Sequence, residues 1–433
     1  DGSRITGVFS VPYWAGRAAS GGNLRLYIRD HGWRSWADEV PDEEGRQPKA
    51  GAAREIGSIL LNVLNATNVV VLTGTGSSFA AMNPAGRPPP AGMSDVWLAV
   101  RQAAGEEIFD GIVARFGEAR VDENIEKLLT LCKLYLELHS ETAIDDDYQA
   151  MAQFVRTAET TILARVDFVD RDTDLEAHGA LIRKVGRRGV RKPRAKLFTT
   201  NYDLCFEEIA RRARFTLIDG FSHNLDQTYD RTNFTVDHVR REPGRDTPDY
   251  LQNVLQFYKL HGSIDWRRIG SDILRTREDV GSPVLIYPRS SKYQESFDAP
   301  YLDMLSAFQA ALREPDTAVL VSGFGFNDDH ISSPIMSAVE SNMSLRLVVC
   351  DPAFLDDESL EPEPFEIGDA PVPTNRFLLG FKRLVDSGDA RVHLLNGRFQ
   401  DLTAALPDLV GETDRERHVQ RMRSLRDAAE MAA

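Results

Sequence analysis

The chain has 433 residues, enough to bury a large core as two domains or as one domain with large insertions. Hydrophobic residues are 42% and charged residues 27%, a globular balance, and no apolar run approaches the roughly 20 residues that cross a bilayer. A net charge of −15 argues against a broad nucleic-acid-binding surface. Cys132, Cys205 and Cys350 are widely spaced and form no CxxC pair, so neither a disulfide framework nor a cysteine zinc site is indicated. With an opening Asp1-Gly2-Ser3-Arg4 that lacks a basic region followed by an apolar one, the expected location is a reducing cytoplasm.

Residues 1–50 read as an irregular N-terminal extension with two short strands, Val8–Val11 and Leu24–Ile28. Trp14, Trp33 and Trp36 lie there among glycines and charges. The extension packs on the main body or docks as an arm on another subunit, since exposed aromatics make good interface anchors. Gly51–Thr67 predicts a helix with Ile56, Ile59, Leu60, Val63 and Leu64 on one face. Val69–Leu72 has the unbroken apolar character of a strand buried on both faces of a parallel sheet. It runs straight into Gly74-Thr75-Gly76-Ser77-Ser78. A strand feeding a glycine-rich turn is the composition of a phosphate cradle, where backbone N–H groups and small hydroxyls meet oxygens. The third glycine of the dinucleotide fingerprint is missing, so the stretch also reads as a plain tight turn.

Residues 84–90 are a Pro- and Gly-rich loop, and residues 94–183 predict helix almost throughout. Such a helical insertion is too long for a simple crossover. The basic run 184–196 reads as a solvated loop, or as a contact for nucleic acid or an acidic partner. Next come a strand ending in Thr200-Asn201-Tyr202-Asp203, a helix over Leu204–Arg212, a short strand at 215–220, and a polar, mobile loop over 221–250. Val254–Tyr258 alternates and leads into Lys259-Leu260-His261-Gly262-Ser263. The histidine at its end has an ordinary pKa of about 6.5, so it can exchange a proton near neutrality. After a helix over Ala299–Leu312, the buried strand Ala318–Ser322 runs into Gly323-Phe324-Gly325-Phe326-Asn327-Asp328-Asp329-His330. There Asp328 and Asp329 read as a helix cap or as ligands, and His330 as packing or capping. Leu345–Cys350 and Val392–Leu395 are further core strands, the second ending at Asn396-Gly397. Residues 353–375 read as an acidic surface excursion, and 411–433 as a charged C-terminal helix.

Strands alternating with helices predict an α/β fold: a Rossmann-like, mostly parallel sheet over residues 51–410, with the helical insertion 94–183 inside it. The strand ends at Gly74–Gly76, Asn201, His261, Gly323 and Gly397 then fall along one edge, which is where such sheets bind nucleotides.

This ordered set, Gly-x-Gly-x-Ser, Thr-x-Asn-x-Asp, His-Gly-Ser and Gly-x-Gly, resembles the sirtuin family. It is more similar to the sirtuin-like domains of bacterial antiphage defence proteins, of the type associated with HerA. The resemblance implies NAD+ as substrate, with Gly74, Thr75, Gly76, Ser77 and Ser78 on the pyrophosphate, and Thr75 standing where alanine is usual. It implies that Asn201 holds the ribose hydroxyls or a water, that His261 is the base or a ribose contact, and that Asp203 orients its neighbours. Gly323, Phe324, Gly325 and Asn327 take the adenosine ribose, and Asn396 and Gly397 the adenine side. The four zinc cysteines of protein-deacetylating sirtuins are absent between the histidine and the next glycine loop, and their Phe-Gly-Glu segment is not evident. No zinc is therefore expected, and hydrolysis of the nicotinamide–ribose bond is the chemistry left. An ungated NAD+ hydrolase would poison its host. The resemblance accordingly implies a homo-oligomeric ring gated by a HerA-type hexameric ATPase, with nucleic acid reached through that partner or through the basic run. Other readings are a zinc-free protein deacylase or ADP-ribosyltransferase, and a regulatory subunit that binds NAD+ or ADP-ribose.

Overall fold

The computed structural model describes residues 12–40, 48–139, 146–189, 192–241, 244, 248–285, 299–361, 363–368, 370 and 372–408. The expected strand at Val8–Val11 and the expected helix over 411–433 lie outside them.

The chain opens with β1 (Arg25–Ile28) and β2 (Gly32–Ser35), then α1 (Ala53–Asn65) and β3 (Asn68–Thr73). Every residue of β3 is buried, and burying each of its valines and its leucine contributes roughly 1.5–3 kcal/mol. A single turn, α2 (Thr75–Ser78), follows, and then the insertion: α3 (Met93–Ala104), α4 (Glu106–Phe116), α5 (Glu118–Val121), α6 (Ile125–His139) and α7 (Asp146–Val166). After α8 (Glu176–Gly186) come β4 (Lys196–Thr199), α9 (Cys205–Ala213), β5 (Thr216–Ile218), a small hairpin of β6 (Val239–Arg240) and β7 (Asp249–Tyr250), and β8 (Val254–Lys259). A separate ribbon is made of β9 (Gly262–Ile269), β10 (Asp272–Arg275) and β11 (Ser282–Leu285). The chain then runs through α10 (Tyr301–Arg313), β12 (Thr317–Ser322), α11 (Asp329–Ser341), β13 (Arg346–Cys350), α12 (Asp357–Leu360), β14 (Glu366–Ile367), α13 (Arg376–Asp386), β15 (Val392–Asn396) and α14 (Phe399–Ala405).

Ten strands form the main sheet in the order β14-β2-β1-β15-β13-β12-β3-β4-β8-β5. From β15 to β5 all pairings are parallel, which is the expected Rossmann-like α/β core. Val70 and Leu72 face one layer, with Phe308 of α10, Ile335 of α11 and Phe381 of α13; Val69 and Val71 face the other, with Leu60 of α1, Leu181 of α8 and Phe206 of α9. The insertion keeps a third core of its own, including Val100, Phe109, Leu128, Phe154 and Ile162, against which Tyr202 is packed. Among the described residues no helix is long and apolar enough to cross a membrane.

Three segments differ from expectation. The strand expected at Leu24–Ile28 is β1, but it is no loose extension: it pairs antiparallel with β15, and β2 with β1, extending the sheet and burying Trp33. The acidic stretch 353–375 is no mere excursion, because its Phe354, Leu355 and Leu360 are buried and its β14 closes the sheet edge on β2. The basic run is largely tied to the molecule itself. Arg188 is buried and donates to the carbonyls of Ala66 (2.6 Å) and Thr67 (2.7 Å), Lys192 donates to that of Asn65, and Arg194 and Lys196 pair with Asp237 and Glu314. These cations fasten the α1–β3 junction, whose carbonyls would otherwise lack donors. Arg188→Ala is expected to lower stability by about 3 kcal/mol, read as a lower urea midpoint, because it strands buried acceptors.

Candidate active site

The parallel register puts the strand tips in one row. Leu395 pairs with Cys350, Cys350 with Ser322, Ser322 with Thr73, Thr73 with Thr199, and Thr199 with Lys259. The rim just beyond that row carries Asn396, Gly323, Gly74, Asn201 and His261. Asn201 and His261 each stand two positions past a register pair on adjacent strands, which are spaced by about 4.8 Å. The chain builds from β3 toward β8 on one side and from β12 toward β15 on the other, so the sheet reverses its direction of growth between β3 and β12. Open α/β sheets bind their ligands outside such a point.

The two glycine loops meet there backbone to backbone. Gly76 N donates to Gly323 O at 2.9 Å. Gly323 has φ +73°, and a Cβ on it would lie 2.5 Å from Ser77 N. The serines turn inward: Ser77 Oγ donates to Gly74 O (2.8 Å) and Ser78 Oγ to Asp203 Oδ2 (2.5 Å), leaving Thr75 as the exposed side chain of the turn. The serine hydroxyls expected on phosphate thus brace the loop itself.

Asn201 reads that brace. Its Nδ2 donates to Gly74 O (3.0 Å) and lies 3.1 and 2.8 Å from the hydroxyls of Ser77 and Ser78. A carbonyl can only accept, so the amide nitrogen is fixed on the loop side. The amide oxygen is buried and has no protein partner. An orphaned buried acceptor is costly unless something else fills it, and a hydroxyl or water would. Asp203 receives Ser78 Oγ on one oxygen and Cys205 N on the other.

His261 sits in the turn between β8 and β9. The next residue, Gly262, has φ +90°, and a Cβ there would lie 2.1 Å from Val284 O, so only glycine lets the chain leave the sheet at this point. His261 Nε2 lies 2.9 Å from Asp328 Oδ2 as an ion pair whose angle falls short of a hydrogen bond, and neither atom has another hydrogen-bond partner. Burial by itself lowers the imidazole's pKa, but Asp328 and the charge of Glu126 outweigh it and hold His261 above its usual value. Burial likewise favours a neutral Asp328, but His261 overrides it and the carboxyl titrates below the usual range. Asp328 is the cap of α11, its Oδ1 accepting from His330 N at 3.0 Å, while its other oxygen faces His261. Asp329 pairs outward with Arg376.

Beneath His261, buried Lys259 donates to the carbonyls of Tyr202 (3.2 Å) and Asp203 (2.5 Å), to Ser263 Oγ (2.8 Å) and to Glu207 Oε1 (2.9 Å). It bolts the Asn201 tip to the His261 tip. Burial pushes the Glu207 carboxyl up to about 7, with Lys259 opposing and Asp265 adding.

The other expected residues lie around this pair. Phe324 is buried edge-on against Phe326 and anchors its loop in the core. Gly325 and Asn327 are exposed, and Asn375 braces them through Gly325 O (3.3 Å) and Asn327 Oδ1 (3.4 Å). Asn396 is fully buried, its Oδ1 accepting from Leu355 N and its Nδ2 without a partner, and Gly397 packs on Leu24. Glu126 and Glu207 belong to the site although their local sequence carries no motif, and Tyr202 and Lys259 stand within the Asn201 and His261 stretches without being singled out there. Asn201, Asp203 and His261 are only 7, 7 and 5% exposed, so their side chains lie below the surface of the rim. An open surface groove of about 330 Å³ between Arg231–Thr235 and α10 includes none of these residues.

Residues 195–362 match the family model of the SIR2-like domain. The match holds Asn201, His261 and the Gly323–Asp328 loop, and leaves out the first glycine turn, the insertion and Asn396. A SIR2-like domain implies the use of NAD+. A comparison with curated proteins finds no match. Among the described residues no group of three or more His, Cys, Asp and Glu is placed to hold a metal.

Gly323→Ala is expected to displace the Ser77 backbone and lower stability by about 1–3 kcal/mol, measured by urea unfolding, with NAD+ affinity lost in the same variant. A carboxyl raised by folding contributes stability that is complete below its unfolded value and is lost as pH rises through its folded value. The contribution of Glu207 to the unfolding free energy should therefore fall from about pH 4.5 to about pH 7 and level off above, read as the difference between the pH–stability curves of the wild type and Glu207→Gln.

Proposed function

We propose that the protein hydrolyses the nicotinamide–ribose bond of NAD+ as the effector of an antiphage defence system, held inactive until a partner releases it. The observation that carries this reading is the amide oxygen of Asn201, buried and unpartnered at the strand tip beside His261 and next to the interlocked glycine loops. That oxygen suits a ribose hydroxyl or the attacking water. A water oxygen bonds to C1′ of the nicotinamide ribose while the C1′–nitrogen bond breaks. Its electron pair neutralises the pyridinium and leaves as nicotinamide. His261 takes the water's proton, so the products are ADP-ribose, nicotinamide and a proton. Asp328 steadies the imidazolium formed in that step. Exposed Thr75 and the main chain of the Gly74–Ser78 turn supply the pyrophosphate contacts.

The burial of Asn201 and His261 supports gating, since a movement of the surrounding loops would control access to their side chains. A homo-oligomeric ring docked on a HerA-type ATPase is the proposed source of that movement. Co-expression followed by mass measurement tests it, and a strictly monomeric protein that ignores the ATPase refutes it.

Nicotinamide release by the protein with its partner should fall by about 10²-fold or more in both Asn201→Ala and His261→Ala. Because His261 acts as the neutral ring, release should rise with pH through a midpoint above the ordinary histidine value. Equal rates in the three proteins sink the mechanism. Stimulation by an acylated peptide points to a deacylase instead, and tight NAD+ binding without turnover in every condition points to a regulatory subunit.

A further inference from the structure

The helical insertion does more than cover the sheet. Its α6 brings Glu126 to the rim, where Oε1 accepts from the Tyr202 hydroxyl at 2.9 Å. Tyr202 lies between Asn201 and Asp203 in the chain, and its ring centroid is 6.3 Å from that of His261. The same tyrosine packs against the insertion's own core, and its main-chain oxygen accepts from Lys259 Nζ and Ile264 N. One residue therefore joins three parts of the molecule, the insertion by its side chain and the β4 tip to the β8–β9 turn by its carbonyl.

We propose that Glu126 is a positioning residue for His261: an acid supplied by the insertion that fixes the Tyr202 ring beside the imidazole and makes the seating of the insertion part of the reactive centre. This rests on the reading of His261 as the group that moves the proton. The groups that face the imidazole are Asp328, by direct contact at 2.9 Å, Glu126, by charge, and the Tyr202 ring. Asp328 in turn meets His330 and Tyr301. Burial raises the Glu126 carboxyl, opposed by His261 and the Tyr202 hydroxyl and aided by Asp328. Two acids and one imidazole thus compete for protons in a covered space, and the insertion brings one of the acids. If the insertion lifts, its carboxylate leaves with it, and His261 becomes easier to deprotonate just as the rim opens.

The test is histidine NMR on the full chain with labelled imidazoles, His261→Asn identifying the His261 signal. Glu126→Gln preserves shape and hydrogen bonding to Tyr202 but removes the charge, so the His261 midpoint should fall by about one pH unit. Tyr202→Phe removes the hydroxyl that favours the charged carboxylate, so the midpoint should move the same way by less, and this second variant decides the matter if the first does not fold. Where nicotinamide is released, the pH–rate limb should move with the midpoint. An unchanged midpoint in a folded variant overturns the proposal. Absence of release by the wild type removes the hydrolase reading while the titration still decides whether Glu126 acts on His261.

Discussion

Everything at the rim depends on one close approach, the contact of the Gly74–Gly76 turn with Gly323. The two loops leave neighbouring parallel strands at the point where the sheet changes its direction of growth. Side chains on either loop would hold them apart by several ångströms, whereas here a main-chain N–H donates to a main-chain carbonyl at 2.9 Å. That contact fixes Gly74 O and the two serines, which in turn fix the Asn201 amide. The same Gly323 loop ends in Asp328, which fixes His261. Remove the approach, and the amide and the imidazole lose their shared reference.

The electrostatics follow from how little water is left. Lys259, Glu207, Asp265, Arg275, His261, Asp328 and Glu126 all crowd beneath or around the rim, and each is balanced mainly by protein. Paired buried charges contribute little net stability, but unpairing one is costly. The arrangement therefore specifies geometry more than it adds stability.

Much of this was legible in the sequence, for local reasons. β3, β4, β8 and β12 are short apolar runs ending in glycine or polar residues, and such runs give both the parallel sheet and the edge on which Gly74, Asn201, His261 and Gly323 fall. The helical stripe of Ile125, Leu128 and Leu129 gave the insertion. What could not be read was contact between distant segments. Glu126 is one more polar residue on an amphipathic helix until Tyr202, 76 positions away, donates to it. The basic run looked solvated because its acceptors are carbonyls of residues 65–67, which no side-chain pattern reveals. Phe324 and Asn396 went inward because a strand-end position does not say whether the side chain faces the cleft or the core. β1 and β2 read as part of an extension because antiparallel edge strands need partners supplied by the far end of the chain.

The insertion's apolar interior has a mechanical consequence. Its helices pack mainly on one another, with Leu285 of β11 inside that core and Tyr202 against it, so a shift of the whole bundle is transmitted to the strand tips through two side chains that the rest of the chain lends to it.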